Sequence, residues 1–199
     1  MTNLDNIGPT GPLRAWDHEA ALQFCILFTF GLRAWHKTLD FGCGNLRLGR
    51  LLIQYLNRDN YHGIERAKEK VIKGIKDCHL QELLGYKNPH FRYTADCNMA
   101  GFGVKFDYII AYQIFMCMPM NQILACLKSA KNAMHGNSIF LATYLEGKIE
   151  DRPKEWCLTG ARYRHETIFK LVKESGLLVT EINWPASSKQ IWLLIRRPS

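Results

Sequence analysis

The sequence predicts an α/β chain, a doubly wound and mostly parallel sheet with helices on both faces. Three observations predict it. Strand-like and helix-like runs alternate along the 199 residues. A glycine turn, Gly42-Cys43-Gly44, directly follows the apolar run Thr38-Leu39-Asp40-Phe41. An acidic residue, Glu65, closes a second strand-like run, Tyr61-His62-Gly63-Ile64, 21 positions after Gly44. Together these make a nucleotide-binding βαβ unit. Glycines let the backbone pass close to a ligand, and a carboxylate at the second strand's end can accept from both ribose hydroxyls.

The elements follow in order. Residues 1–13 read as a Gly/Pro-rich arm. Residues 14–32 read as a helix with Leu22, Cys25, Ile26, Phe28 and Phe30 on its apolar face and Gly31 as a stop. Thr38–Phe41 is the first strand. Leu46–Leu56 has Leu48, Leu51, Leu52 and Tyr55 at helical spacing, which puts Arg47 in that helix's first turn. Tyr61–Ile64 is the second strand. A helix over 67–84 breaks near Cys78, and His90–Thr94 is the third strand. Phe106–Tyr112 is the clearest buried strand, continuous and β-branched at its centre. Asn121–Met134 is an amphipathic helix stopped by Gly136, and Ser138–Tyr144 is the fifth strand. Residues 146–164 lack periodicity, carry Gly147, Pro153 and Gly160, and read as an insertion. A helix over 166–175 ends at Gly176, and Leu177–Trp184 with Gln190–Arg196 close the chain as a hairpin-like pair.

Size and composition set bounds. At this length one domain is expected, with enough chain to bury a sizeable core. No apolar run is long enough for a transmembrane helix, and the polar start carrying Asp5 does not read as a signal peptide. The seven cysteines occur singly, without a C-x-x-C pair, which predicts reduced thiols in a cytoplasmic protein and no metal site. The net charge of +8 permits an acidic partner, but the basic residues are dispersed, so nucleic acid is not favoured.

The glycine turn also discriminates between cofactors. A dinucleotide fingerprint wants a small third residue, to leave room for pyrophosphate. This chain has Arg47 there, and Asp40 just before the turn repels a pyrophosphate but suits an ammonium. S-adenosylmethionine carries an ammonium, a ribose and an adenine, and no phosphate.

Leu39-Asp40-Phe41-Gly42-Cys43-Gly44 resembles the first motif of the class I S-adenosylmethionine-dependent methyltransferases, D-x-G-C-G. The run from Gly42 to Leu56 followed by Tyr61–Glu65 is similar to small, single-domain, bacterial-type members, and the likeness extends over roughly residues 12 to 197. The resemblance implies a Rossmann-like seven-stranded sheet of order 3-2-1-4-5-7-6 with strand 7 antiparallel. It implies that Asp40, Gly42, Cys43, Gly44 and Arg47 border the methionine part of the cofactor. Arg47 would meet the cofactor's carboxylate or a substrate's. Glu65, with Arg66 beside it, would clamp the ribose, and Asp96 and Cys97 would meet the adenine. Tyr112 and Gln113 would lie nearest the transferred methyl, and the Tyr112-Gln113-Ile114 sequence argues against the amino-directed DNA methyltransferases, which carry Asn/Asp-Pro-Pro-Tyr/Phe there.

The insertion and the N-terminal helix commonly form the acceptor pocket in this fold. Trp16, His18, Tyr144, Trp156 and Tyr163 are therefore expected substrate contacts, and His165, Glu146 and Tyr112 expected catalytic groups. The implied activity is methyl transfer from S-adenosylmethionine, giving S-adenosylhomocysteine, to an O or N atom of a small-molecule or glycan-type acceptor, without a metal. The competing readings are an RNA or protein methyltransferase and a non-catalytic cofactor-binding protein. An NAD-linked reductase is disfavoured by Arg47 and Asp40.

Overall fold

The computed structural model describes residues 13–151, 153–157, 160–186 and 189–198. The N-terminal arm lies outside the described residues but for its last one. Six helices and eight strands alternate among them: α1 Leu13–Thr29, β1 Thr38–Phe41, α2 Gly49–Tyr55, β2 Tyr61–Ile64, α3 Lys68–Asp77, α4 Gln81–Lys87, β3 His90–Arg92, β4 Phe106–Ala111, α5 Met120–Ala133, β5 Met134–Glu146, β6 Arg162–Tyr163, α6 His165–Glu174, β7 Leu178–Ile182 and β8 Gln190–Arg196.

The sheet runs β3-β2-β1-β4-β5-β8-β7, with the two-residue β6 pairing alongside the end of β5. Strands β1 to β5 pair in parallel, and β8 is antiparallel to both β5 and β7. This is the expected Rossmann-like order, with β7 and β8 as the sixth and seventh strands and β6 as a short addition inside the insertion.

Strand alternation divides the core. From β4, Ile109 and Ala111 face a cluster completed by Ile123, Cys126 and Leu127 of α5 and Ile168 and Val172 of α6. Tyr108 and Ile110 of β4, with Tyr112 just beyond it, face the opposite cluster, with Ile26 and Leu27 of α1, Leu52 and Ile53 of α2, and Val71 of α3. α1 and the turn after it are tied to the sheet by two hydrogen bonds, from Trp184 Nε1 to the Leu22 carbonyl of the helix (3.1 Å) and from Tyr108 Oη to the Phe30 carbonyl just beyond it (2.8 Å).

Most element ends differ from the sequence reading by a few residues, and two of the differences change the structure's logic. α2 starts at Gly49, not Leu46, because Leu46 adopts a left-handed backbone (φ 63°) with its side chain fully buried. Arg47 therefore sits in the turn before the helix; leucine spacing alone does not separate a buried turn from a first helical turn. Gly136 does not stop a helix. α5 gives way to β5 at Met134, and Gly136 lies where the register with β4 shifts between Phe106 and Tyr108.

The glycine turn is buttressed from below by α3. A Cβ on Gly74 would stand 2.2 Å from the carbonyl oxygen of Asn45, a main-chain atom that cannot swing aside. Gly74→Ala is expected to lower stability by about 1–3 kcal/mol, the usual cost of overpacking, read as a reduced urea midpoint at unchanged slope.

Candidate active site

A cleft of about 590 Å³ opens at the carboxyl ends of β1, β2 and β4, where parallel α/β sheets bind their ligands. The glycine turn makes its floor. Gly42 and Cys43 both donate N–H to the Ile64 carbonyl, at 2.8 and 3.1 Å, so the turn hangs on the end of β2. Gly42 has φ +81°, and a Cβ there would lie 2.1 Å from Ile114 Cδ1, so only glycine admits the close approach of the turn to the β4 end.

Glu65 is the most firmly held group in this half. One carboxylate oxygen accepts the Gly44 N–H (3.2 Å), the other the Ala67 N–H (3.0 Å), and Lys70 Nζ stands 3.9 Å away. Each oxygen retains a lone pair for a ligand hydroxyl. Asp40 is buried under the turn and accepts a hydrogen bond from Tyr61 Oη at 3.0 Å. Burial pushes its carboxyl up from 3.8 to about 7, against the lowering effects of the Tyr61 hydrogen bond and of Arg47. Arg47 donates to Gln113 Oε1 at 3.3 Å and lies over the Tyr112 ring at 5.3 Å. Desolvation lowers its pKa, while Tyr112, Glu19 and Asp40 oppose that shift.

The structure brings many of the expected residues together. Asp40, Gly42, Cys43, Gly44, Arg47, Glu65, Arg66, Asp96, Tyr112, Gln113 and Trp156 all line the cleft. Asp96 also caps its own turn, accepting from the Asn98 N–H at 3.0 Å. Cys97 is turned away from the lining and packs on the core, its thiol directed at the Gln122 carbonyl.

Six other expected residues lie away from the cleft lining. Trp16 lies under the Arg50 guanidinium (4.3 Å), which also pairs with Asp17, and His18 is exposed. Tyr144 and Tyr163 are fully buried in the core cluster beneath the insertion. Tyr163 donates to the Met118 carbonyl, and the Tyr144 hydroxyl meets His165 Nδ1 at 3.3 Å. His165 opens α6, stacks on Phe169 and stands 3.4 Å from Glu181. Glu146 is exposed at the end of β5, and it is its main-chain carbonyl that receives Arg162. A strand residue alternates between faces, so a position near the sheet's end can still point into the core.

Four residues at or behind the cleft carried no recognised motif: Gln23 and Gln190 in its lining, and the buried Thr143 and Glu19 behind it. Tyr112 donates its phenol to the Glu19 carboxylate and stacks on Trp192 at 5.1 Å. Gln113 has a left-handed backbone (φ 62°) and donates its N–H to Thr143 Oγ1 at 2.9 Å. Thr143 in turn donates to Gln190 Oε1 at 2.5 Å. Gln190 Nε2 is buried without a hydrogen-bond partner among the described residues, a condition that costs about 1–3 kcal/mol. The one signal in the sequence was polar side chains, Glu19 and Gln23, next to or within an apolar helical run. The insertion is stitched to the β4 exit by Ala161 N–H to the Met116 carbonyl (2.7 Å) and Cys157 N–H to the Cys117 carbonyl (2.9 Å), which holds Trp156 at the cleft.

Comparison with known proteins agrees with this fold. The family described as methyltransferase domain matches residues 33–192, and the chain belongs to that family. The structure is similar to magnesium protoporphyrin IX methyltransferase from Synechocystis with bound S-adenosylmethionine: TM-score 0.67, 18% identity, covering 92% of this chain and 80% of that one. It is similar to an S-adenosylmethionine-dependent methyltransferase from Clostridium acetobutylicum: TM-score 0.66, 13% identity, 96% and 94% covered. A glycopeptide N-methyltransferase complexed with S-adenosylmethionine superposes with TM-score 0.68 at 9% identity, 92% and 95% covered. No curated protein sequence matches the chain significantly. The fold and class expected from the first motif are borne out.

Asp40 generates a stability prediction. Its folded pKa lies above its unfolded value, so the unfolded chain is the more ionised between pH 3.8 and about 7, and stability falls as pH rises through that window. Asp40→Asn is expected to be more stable than wild type at pH 8, by on the order of 2–4 kcal/mol, and near parity at pH 3.5. Urea unfolding at the two pH values checks it.

Proposed function

We propose that this cleft binds S-adenosylmethionine and that the protein transfers its methyl group to an O or N atom of a small-molecule acceptor, acting as a single domain in the cytoplasm. The observation that carries the reading is the Glu65 carboxylate, buried at the end of β2 and tied to the glycine turn with lone pairs to spare. The residues fit the cofactor. Glu65 would hold the ribose, Asp96 the adenine amino group, and the backbone of Gly42, Cys43 and Gly44 lines the cleft beside them. Asp40 and Arg47 offer opposite charges to the ammonium and carboxylate of an amino acid.

When bound, the cofactor supplies a methyl group already activated on a sulfonium. The protein's work is then to align the acceptor and exclude water. Ile114, Met116 and Trp156 line the cleft beyond the β4 end and make its apolar wall. Where the acceptor must lose a proton, Tyr112 is the group we assign: its phenol oxygen takes the proton as its own passes to the Glu19 carboxylate. Tyr112 lines the cleft with Glu19 hydrogen-bonded behind it, whereas His165 and Glu146 lie outside the lining and away from Tyr112.

The small acceptor is supported by structural neighbours whose names specify a magnesium protoporphyrin and a glycopeptide. RNA or protein acceptors find no concentrated basic surface in the sequence. Among the described residues no helix is long and apolar enough to cross a membrane.

Calorimetric titration with S-adenosylmethionine, S-adenosylhomocysteine and NADH tests the reading. Micromolar binding of the two adenosyl ligands is expected, weakened at least about 100-fold in Glu65→Ala by loss of two hydrogen bonds to a charged group. Preference for NADH, or failure of both adenosyl ligands, overturns it. Because Asp40 must be ionised to receive the ammonium, S-adenosylmethionine affinity should fall about tenfold per pH unit below pH 7 and level off above it. Asp40→Asn removes that dependence.

A further inference from the structure

We infer that Gln190 is the specificity-determining donor of the acceptor half of the cleft, and that it selects a compact acceptor with an apolar or aromatic body bearing a carbonyl or carboxylate oxygen. The inference rests on the methyltransferase reading above and names the acceptor class for the same cleft.

The orientation of the Gln190 amide is dictated by its neighbours. The Gln113 N–H donates to Thr143 Oγ1 at 2.9 Å, which leaves the threonine hydroxyl proton to be given elsewhere. The 2.5 Å contact from Thr143 Oγ1 to Gln190 lies inside the O–H···O range and below that of N–H···O. The amide atom facing Thr143 is therefore the oxygen, and Nε2 faces away from it. Gln190 is 6% exposed, borders the cleft, and its Nε2 has no partner among the described residues. A fixed, desolvated donor at a ligand cleft calls for an acceptor atom on the ligand.

Its place in the sheet separates it from the nucleoside. The ribose and adenine groups lie at the β2 and β3 ends, while Gln190 begins β8, beyond β4 and β5. At about 4.8 Å per strand, β8 lies roughly 14 Å across the sheet from the β1 turn. The walls between are Ile114, Met116 and Trp156, which suit an apolar or flat body. A ligand presenting a second donor to Nε2 would leave two N–H groups opposed and buried, so the site rejects as well as selects.

The test uses the full chain saturated with S-adenosylhomocysteine and four probes: benzoate and acetophenone, with toluene and benzylamine as partners lacking the carbonyl. Dissociation constants and the side-chain amide resonance of Gln190, assigned by its absence in Gln190→Leu, are read by NMR titration. Benzoate and acetophenone are expected to bind wild type about tenfold more tightly than their partners and to move the Gln190 amide downfield. Gln190→Leu should erase the preference with S-adenosylhomocysteine affinity within about twofold of wild type. Gln190→Glu, which still accepts from Thr143 but presents an acceptor to the cleft, should shift the preference to benzylamine. Equal binding of the four probes, absence of binding by all of them, a preference that survives Gln190→Leu, or loss of S-adenosylhomocysteine affinity in that variant overturns the inference. Failure of S-adenosylhomocysteine to bind wild type overturns the methyltransferase reading, and this inference with it. Should Gln190→Leu not fold, the wild-type amide shift and the Gln190→Glu reversal decide the matter.

Discussion

The double hydrogen bond from the Gly44 and Ala67 N–H groups to Glu65 is the interaction on which the cleft depends. Hydrogen bonds to a charged acceptor are each worth about 1.5–3 kcal/mol. Here they do geometric work as well. They lock the turn after β1 to the turn after β2, two segments joined otherwise by Gly42 and Cys43 hanging on the Ile64 carbonyl. With both turns held, the glycine backbone, the Glu65 lone pairs and the Asp96 loop share one wall.

Around that wall the charges are arranged in depth rather than at the surface. Asp40 lies beneath the turn and is kept part-protonated near neutrality by burial, while Arg47, itself desolvated, leans over Tyr112 with Glu19 and Asp40 close enough to favour its charged form. A buried acid with a pKa near 7 is expensive for the free protein and useful to a ligand bearing an ammonium. The balance of the two makes cofactor affinity and stability respond to pH through the same side chain, with opposite signs.

The β4 end carries the second half of the cleft. Gln113 turns left-handed there, and its N–H, the Thr143 hydroxyl and the Gln190 amide form a chain across β4, β5 and β8. The insertion is pinned to the same exit at Met116 and Cys117. These contacts join residues 30 to 47 positions apart in the chain, and strand order alone brings them together.

What the sequence by itself determined is local. Period-two and period-3.6 patterns placed the elements, the order of the sheet followed from the likeness carried by the first motif, and the spacing from Gly44 to Glu65 located the nucleoside half. Each of those signals lies within one βαβ unit, where chain connectivity keeps neighbours in space close in sequence. The tertiary structure decided the rest. It placed Arg47 before the helix because a buried Leu46 holds the backbone left-handed, turned Tyr144 and Tyr163 into the core because alternate strand residues face opposite sides, and set His165 against Glu181 and Tyr144 rather than in the cleft lining. It also brought Glu19 behind Tyr112 and Gln190 to the cleft, since partners 93 and 47 residues apart leave no periodic trace in the chain and meet only when the sheet has closed.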